Sequence, residues 1–157
     1  MSFNTPNGTH GAMQPRAGRL VRWFNGWNMK RIRQKGGKVM GMDALVLTTI
    51  GRKSGAERSS PVAYFPDGND AWLVVASANG AANNPAWYYN IAAHPDQVRV
   101  ELAGRKVAVA AEQLHGQARE DAWGRIKKEL PRFAKYEQQT DRELPVIRLR
   151  ARSASTS

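Results

Sequence analysis

The chain has 157 residues, with 24 Lys or Arg against 13 Asp or Glu for a formal net charge of +11, and no cysteine. That length suits one domain that buries a core without covalent staples, and the missing thiols exclude disulfides, a thiolate nucleophile and cysteine metal sites. No stretch has the ~18 apolar residues of a membrane span, and the positive balance points to an acidic partner: a polyanionic small molecule, a nucleic acid or an anionic membrane.

Taken in chain order, residues 1–18 are polar, with Gly and Pro and no apolar signal core, and read as a disordered leader. Residues 19–38 form a basic unit. Arg19–Arg33 has helical spacing, with Leu20, Trp23, Phe24 and Trp27 on one face and Arg19, Arg22, Lys30 and Arg33 on another. Arg31 breaks that pattern, Gly26 weakens the helix, and QKGGKVMGM reads as a flexible connector. Such a helix either packs its tryptophans on the rest of the domain or lies on an anionic membrane surface through residues 19–33.

Residues 39–152 carry the domain proper. Asp43–Ile50 is an apolar strand, GRKSG a turn and Glu57–Phe65 the return strand. PDGND is a second turn, and Ala71–Ser77 is another apolar strand. The loop ANGAANN leads to a short helix, with Pro85 near its first turn and Pro95 as its stop. In QVRVELAGRKVAVAAEQL, Val98, Val100 and Leu102 alternate with Arg99 and Glu101, which gives a hairpin about Ala103–Gly104. Gly116–Leu130 is a helix that Pro131 interrupts, FAKYEQQ adds a helical turn, and Leu144–Leu149 is a last strand. Residues 153–157 read as a disordered tail. About six strands, mostly in hairpins, with three or four helices predict an α+β, mainly β fold: an antiparallel barrel with helices packed outside.

Two segments carry chemistry. GRKSGAERSSP, residues 51–61, sets Arg52, Lys53 and Arg58 among serines and glycines directly after a core strand. A solvated hairpin turn would hold such residues too, and the order of residues is not that of a Walker loop. Free glycine backbone and converging cations instead suit a phosphate or carboxylate. Arg58 and Ser60 alternate along the return strand, so both point the same way. ASANGAANNPAWYYN, residues 76–90, combines small residues, a helix start and an aromatic cluster, either a plain Gly/Asn loop with a core tryptophan or a bed for a flat, anionic ligand. The histidines His10, His94 and His115 stand at no metal-binding spacing.

LTTIGRKSGAERSSP, then PDG, then ASANGAANNPAWYYNIAAHP, then KYEQQTDRELPVI resembles, in that order, the deazaflavin-dependent nitroreductase family, from about Trp23 to Ala151. The resemblance implies a split β-barrel that binds coenzyme F420, a hydride-donating deazaflavin whose tail carries a phosphate, a lactyl carboxylate and glutamates. It implies that Arg52, Lys53 and Ser54 meet the acidic tail and that Arg58, Ser59, Ser60, Pro61 and Val62 continue the binding stretch. It implies further that Val75, Ala76, Ser77 and Ala78 lie beside the ring, with Ala86, Trp87, Tyr88, Tyr89 and Asn90 at the aromatic helix start. Ser77 and Tyr136 are the implied catalytic donors, and Trp27, Phe133 and Tyr136 the implied substrate contacts.

The chain departs from the family pattern in LPRFAKY, where Leu130 and Phe133 stand in place of tyrosines. Phe133 is then either a lost substrate donor or an apolar lid residue. The implied activity is reduction of a quinone or another electron-poor conjugated or nitro acceptor. The alternative is a carrier of deazaflavin, fatty acid or tetrapyrrole on the same fold. Nucleic acid is not expected, because the cations gather at one turn and one helix instead of forming an extended stripe with stacking aromatics. A cytoplasmic protein, peripheral on the inner face of the cell membrane if the basic helix binds there, is the expected setting.

Overall fold

The computed structural model describes residues 19–39, 42–68, 70–76, 84–140 and 143–152, together with Phe3, Thr5, Pro6, Gly8 and Gly11. Helix α1 (Arg19–Lys35) comes first, then β1 (Gly37–Val39), β2 (Met42–Ile50), β3 (Glu57–Ala63), β4 (Phe65–Pro66) and β5 (Ala71–Val75). Next come α2 (Ala86–Ala93), β6 (Val98–Leu102), β7 (Arg105–Gln113), α3 (Gly116–Glu129), α4 (Arg132–Gln139) and β8 (Val146–Ala151). All strands join one antiparallel, 8-stranded curled sheet in the order β1-β2-β6-β7-β8-β5-β4, with β3 paired to β2. This is the antiparallel α+β barrel expected from the hairpins, in the split form that the resemblance implies.

Two short strands exceed the expected six. The connector after α1 is not wholly free chain: Gly36, at φ +85°, ends the helix as a left-handed glycine can. Gly37–Val39 then pairs with Met42–Ala44. The return strand breaks at Tyr64, and Phe65–Pro66 pairs with β5 instead of β2.

Strand β2 is buried along nearly its whole length because both its faces are covered. Leu45 and Leu47 point into the barrel interior with Val62, Trp72, Val74, Tyr88, Ile91, Val98 and Val100. Ala44 and Val46 lie under α1, against Ile32 and Met29. The described part of α1 therefore packs through Met29 and Ile32, and Trp27, 51 % exposed, faces away; the side chains of Leu20, Trp23 and Phe24 lie outside the described residues. The tip of the β6–β7 hairpin fixes the end of α1. Ala103 N–H donates to Ile32 O at 2.9 Å and Gly104 N–H to Arg33 O at 2.7 Å, which satisfies carbonyls a helix end leaves open.

A second apolar cluster lies on the other face of β5, where Leu73 and Val75 meet Trp123, Ile126, Phe133 and Tyr136 of α3 and α4. Pro131 separates the two helices, and Trp123 Nε1–H donates to Glu137 Oε2 at 2.6 Å to tie them together. Where a disordered leader was expected, Phe3 and Thr5 are buried, and Phe3 joins the interior cluster beside Tyr88. Residues 153–157 of the expected tail lie outside the described residues. No described helix is long and apolar enough to cross a membrane.

Candidate functional site

The turn between β2 and β3 is held by short backbone bonds, Gly51 N–H to Ala56 O at 2.8 Å and Gly55 N–H to Gly51 O at 2.9 Å. Ser54 Oγ accepts from Ala56 N–H at 3.1 Å. A side chain at Gly51 would meet Ser54 Oγ at 2.5 Å and Ala56 O at 3.3 Å, so glycine there allows a turn this tight. Gly55 adopts φ +72°, the left-handed region glycine enters freely.

Helix α2 then clamps the turn. Asn90 is buried, its carboxamide oxygen accepts from Arg52 N–H at 3.1 Å, and its amide group donates to Thr49 Oγ1 at 3.1 Å. The Arg52 guanidinium lies over the Tyr89 ring at 4.6 Å from its centre, a cation–π contact. Between turn, strand and helix opens a groove of about 450 Å³ lined by Gly51, Arg52, Lys53, Ser54, Arg58, Ser59, Ser60, Ala86, Trp87 and Asn90. Arg58 opposes Thr49 and Ser60 opposes Leu47 across β2, so both share the interior-facing side, as their alternation implied.

The electrostatics of the groove is one-sided. Among the described residues Arg52, Lys53 and Arg58 have no carboxylate partner. The acid that follows the turn, Glu57, is taken by Arg99 on the opposite face of the sheet through a two-pronged contact at 3.3 Å. Hydrogen bonding and charge from Arg99 hold the Glu57 carboxyl below the usual carboxylate range. On that face Glu101 bridges Arg99 at 3.5 Å and Arg33 at 3.4 Å, and Arg33 Nη2 donates to Ser59 Oγ at 3.2 Å. Sequence reasoning missed this link because Arg33 and Ser59 belong to different elements. The strand register, which sets Ser59 opposite Thr48 and Thr48 opposite Arg99, is the signal that could have exposed it.

Of the residues singled out from the sequence, Arg52, Lys53, Ser54, Arg58, Ser59, Ser60, Ala86, Trp87 and Asn90 come together in the groove. Tyr89 supports it from beneath Arg52. Pro61 and Val62 continue β3 beyond it. Val75 and Ala76 are buried at the end of β5, on opposite faces. Tyr88 is 1 % exposed and donates its hydroxyl to Gln113 Oε1 at 2.6 Å, so it backs the helix instead of lining the groove. Ser77 and Ala78 lie outside the described residues.

Phe133 and Tyr136 sit in the α3–α4 cluster with ring centres 5.5 Å apart. The Tyr136 ring is buried, but its hydroxyl has no partner among the described residues and reaches solvent. Trp27 lines a separate cleft on the outer face of α1, with Lys30, Arg31, Gln34 and Lys35.

Comparison with known proteins agrees with this architecture. Residues 20–150 match the family described as F420H(2)-dependent quinone reductase. An F420H(2)-dependent quinone reductase of Mycobacterium tuberculosis (strain H37Rv) is 33 % identical over 112 residues, which span 69 % of this chain and 74 % of the relative. A solved F420-H2 dependent reductase, FDR-A, is 32 % identical with a TM-score of 0.61, covering 68 % of this chain and 92 % of that one. The heme storage protein HutZ of Vibrio cholerae, 12 % identical with a TM-score of 0.53 over 88 % of this chain and 92 % of its own, shares the fold alone. With its split-barrel sheet and a family match running from α1 to β8, the chain belongs to the F420H(2)-dependent quinone reductase family.

Proposed function

We propose that this chain is a reductase that holds coenzyme F420 in the cationic groove and acts on a quinone or another electron-poor conjugated or nitro acceptor. The carrying observation is the set of three cations, Arg52, Lys53 and Arg58, left without carboxylate partners while Glu57 is drawn to the far face. Unpaired cations that converge beside a glycine turn fit a phosphate and a run of carboxylates, which is the chemistry of the F420 tail. When bound, the reduced deazaflavin supplies hydride, a two-electron equivalent; this chain binds, orients and excludes water.

Strand β3 gives the site its length. At ~3.4 Å per residue, Arg58 and Ala63 lie ~17 Å apart along it. The cations stand at its start, and the cluster that holds Val75 and Tyr136 abuts its end at Ala63. We assign the stretch Pro61, Val62, Val75 and Ala76 to the ring, with Ser77 and Ala78 beside it. The open hydroxyl of Tyr136 supports a role as hydrogen-bond donor to the oxygen or nitro group on which charge develops, with Ser77 as the second donor. Phe133 then serves as an apolar neighbour, and acceptor contact through Trp27 needs α1 to close over the site. The outer face of α1, with exposed Trp27 beside Lys30, Arg31 and Lys35, supports contact with an anionic membrane surface.

The test is equilibrium fluorescence titration with F420 and FMN, followed by stopped-flow oxidation of the reduced coenzyme against a panel of quinones and nitro compounds. Tight F420 binding, weak FMN binding and acceptor-dependent oxidation are expected. Neutralising Arg52, Lys53 and Arg58 together abolishes F420 binding at moderate salt. Preference for FMN overturns the reading, and tight F420 binding without turnover leaves the protein a carrier. Sedimentation with phosphatidylglycerol vesicles tests the membrane contact.

A further inference from the structure

Arg119 is the one charged side chain among the buried described residues, 7 % exposed, and its donors go to the chain that leads into β8. Nη2 donates to Leu144 O at 2.9 Å, Nε lies 3.1 Å from Glu143, and the guanidinium sits 5.5 Å from the centre of the Trp123 ring. The strand register shows why a side chain is needed there. Strand β7 pairs Gln113 with Ile147, and Leu114 N–H serves Val146 O at 2.8 Å. One step further the ladder would set Gly116 N–H against Leu144 O. Gly116 instead turns away at φ +59° and opens α3. The Leu144 carbonyl thus loses its strand donor, which is costly for a buried group unless another donor replaces it. Arg119, one turn into α3, is that replacement.

We propose that Arg119 is a positioning residue for hydride transfer: by holding Leu144 it carries β8 to the end of β5 and fixes the backbone beside which the coenzyme ring lies. The inference rests on the F420 reading, which assigns Val75 and Ala76 to the ring. The link is short. Leu144 precedes Pro145, whose carbonyl accepts from Ala76 N–H at 2.9 Å, just beyond the last pair of the ladder, Val75 with Val146. Pro145 has no N–H to give back, so the pairing of Ala76 with Pro145 rests on that single bond and on what holds Pro145 in place. Arg119 holds the residue immediately before it. Ser77, the second donor of the F420 reading, follows Ala76 in the sequence. Glu120 and Glu143 offset the charge of Arg119 locally, so it acts by alignment and not by field. It serves the ring end of the site, whereas Arg52, Lys53 and Arg58 serve the tail end.

The test compares wild type, Arg119→Gln, Arg119→Lys and a core control of lowered stability, Val109→Ala, with the melting temperature of each measured. In the free protein, amide hydrogen exchange at Ala76 should quicken by about tenfold or more in Arg119→Gln, the loss of about one hydrogen bond. Exchange at Val74, in the middle of β5, should change by less than about threefold. Arg119→Lys keeps the charge but not the planar fork and should fall between wild type and Arg119→Gln. With coenzyme, F420 affinity should stay within about threefold of wild type, whereas single-turnover oxidation of bound reduced F420 by a quinone should slow by about 10- to 100-fold. Val109→Ala should keep its rate per bound coenzyme despite its lower melting temperature. Unchanged Ala76 exchange, an unchanged rate per bound coenzyme, or equal slowing in Val109→Ala overturns the inference and leaves the coenzyme assignment intact. Should Arg119→Gln not fold, Arg119→Lys decides by the same two readouts. A wild-type protein that fails to bind F420 overturns both.

Discussion

Asn90 joins the two halves of the groove, and its two hydrogen bonds ask different things of it. The oxygen serves Arg52 N–H and the amide group serves Thr49, whose hydroxyl lies in a residue 1 % exposed. Asn90→Ala removes both and strands Thr49, a loss of about 1–3 kcal/mol that lowers the melting temperature by roughly 2–4 °C per kcal/mol. Asn90→Asp keeps the shape, still accepts from Arg52 and can accept from the Thr49 hydroxyl. Its fold should therefore suffer less. Its carboxylate, however, would stand among the groove cations and compete with an anionic ligand. The expected outcome is a crossing of ranks: Ala melts lower than Asp, but Asp binds F420 more weakly at low salt. Parallel ranking in melting and titration would show that Asn90 acts on the groove only through stability.

The elements that sequence pattern revealed are those whose two faces have plain environments. Strand β2 shows as an unbroken apolar run because α1 covers one face and the interior the other; β6 shows as an alternation because Val98 and Val100 are inside while Arg99 and Glu101 pair outside. Strand β1 did not show, since Gly37 and Lys38 carry no apolar pattern and their pairing is supplied by β2. On α1 the packing falls to Ile32 and not to Trp27. The α3–α4 unit gives Phe133 a packed aromatic setting. Its ring is 3 % exposed and makes edge contacts with Phe65, Trp123 and Tyr136 at centre distances of 5.8, 6.2 and 5.5 Å. Phe133→Tyr therefore forces a hydroxyl into a packed aromatic cluster, at about 1–3 kcal/mol, and brings no new donor to a substrate. Tyr136→Phe removes a solvent-reaching hydroxyl, changes stability by within about 0.5 kcal/mol and, if that hydroxyl stabilises developing charge, slows turnover by up to ~100-fold. Urea melts paired with quinone turnover check both; a Phe133→Tyr variant that gains activity without loss of stability would count against the packing account.

Over the whole molecule, the groove's residues were readable and its assembly was not. GRKSG and the WYYN helix each stood out locally, but the bond that joins them spans 38 residues, and the row of charges behind them runs from α1 to β6. The same limit hid the N-terminal contact. Residues 1–18 look featureless by composition, yet Thr5 N–H donates to Tyr88 Oη at 3.0 Å, Asn84 Nδ2 donates to Thr5 O at 3.0 Å and Gln113 Nε2 donates to Thr5 Oγ1 at 2.7 Å. Phe3 meets Tyr88 edge-on at 6.0 Å. These contacts brace α2 from the side opposite the groove and tie it to β7. Burying Phe3 contributes about 2–3 kcal/mol and each hydrogen bond about 1 kcal/mol, set against about 1–2 kcal/mol of backbone entropy per ordered residue. Deleting residues 1–6 should lower the melting temperature and weaken F420 binding, because the helix that carries Asn90 loses its backing. Phe3→Ala should reproduce most of the thermal loss, since the ring fills interior space that the three hydrogen bonds of Thr5 do not. If the truncated chain melts with the full-length protein, the N-terminal residues add no net stability, and the backing of α2 must come from Gln113 and Ile91 alone.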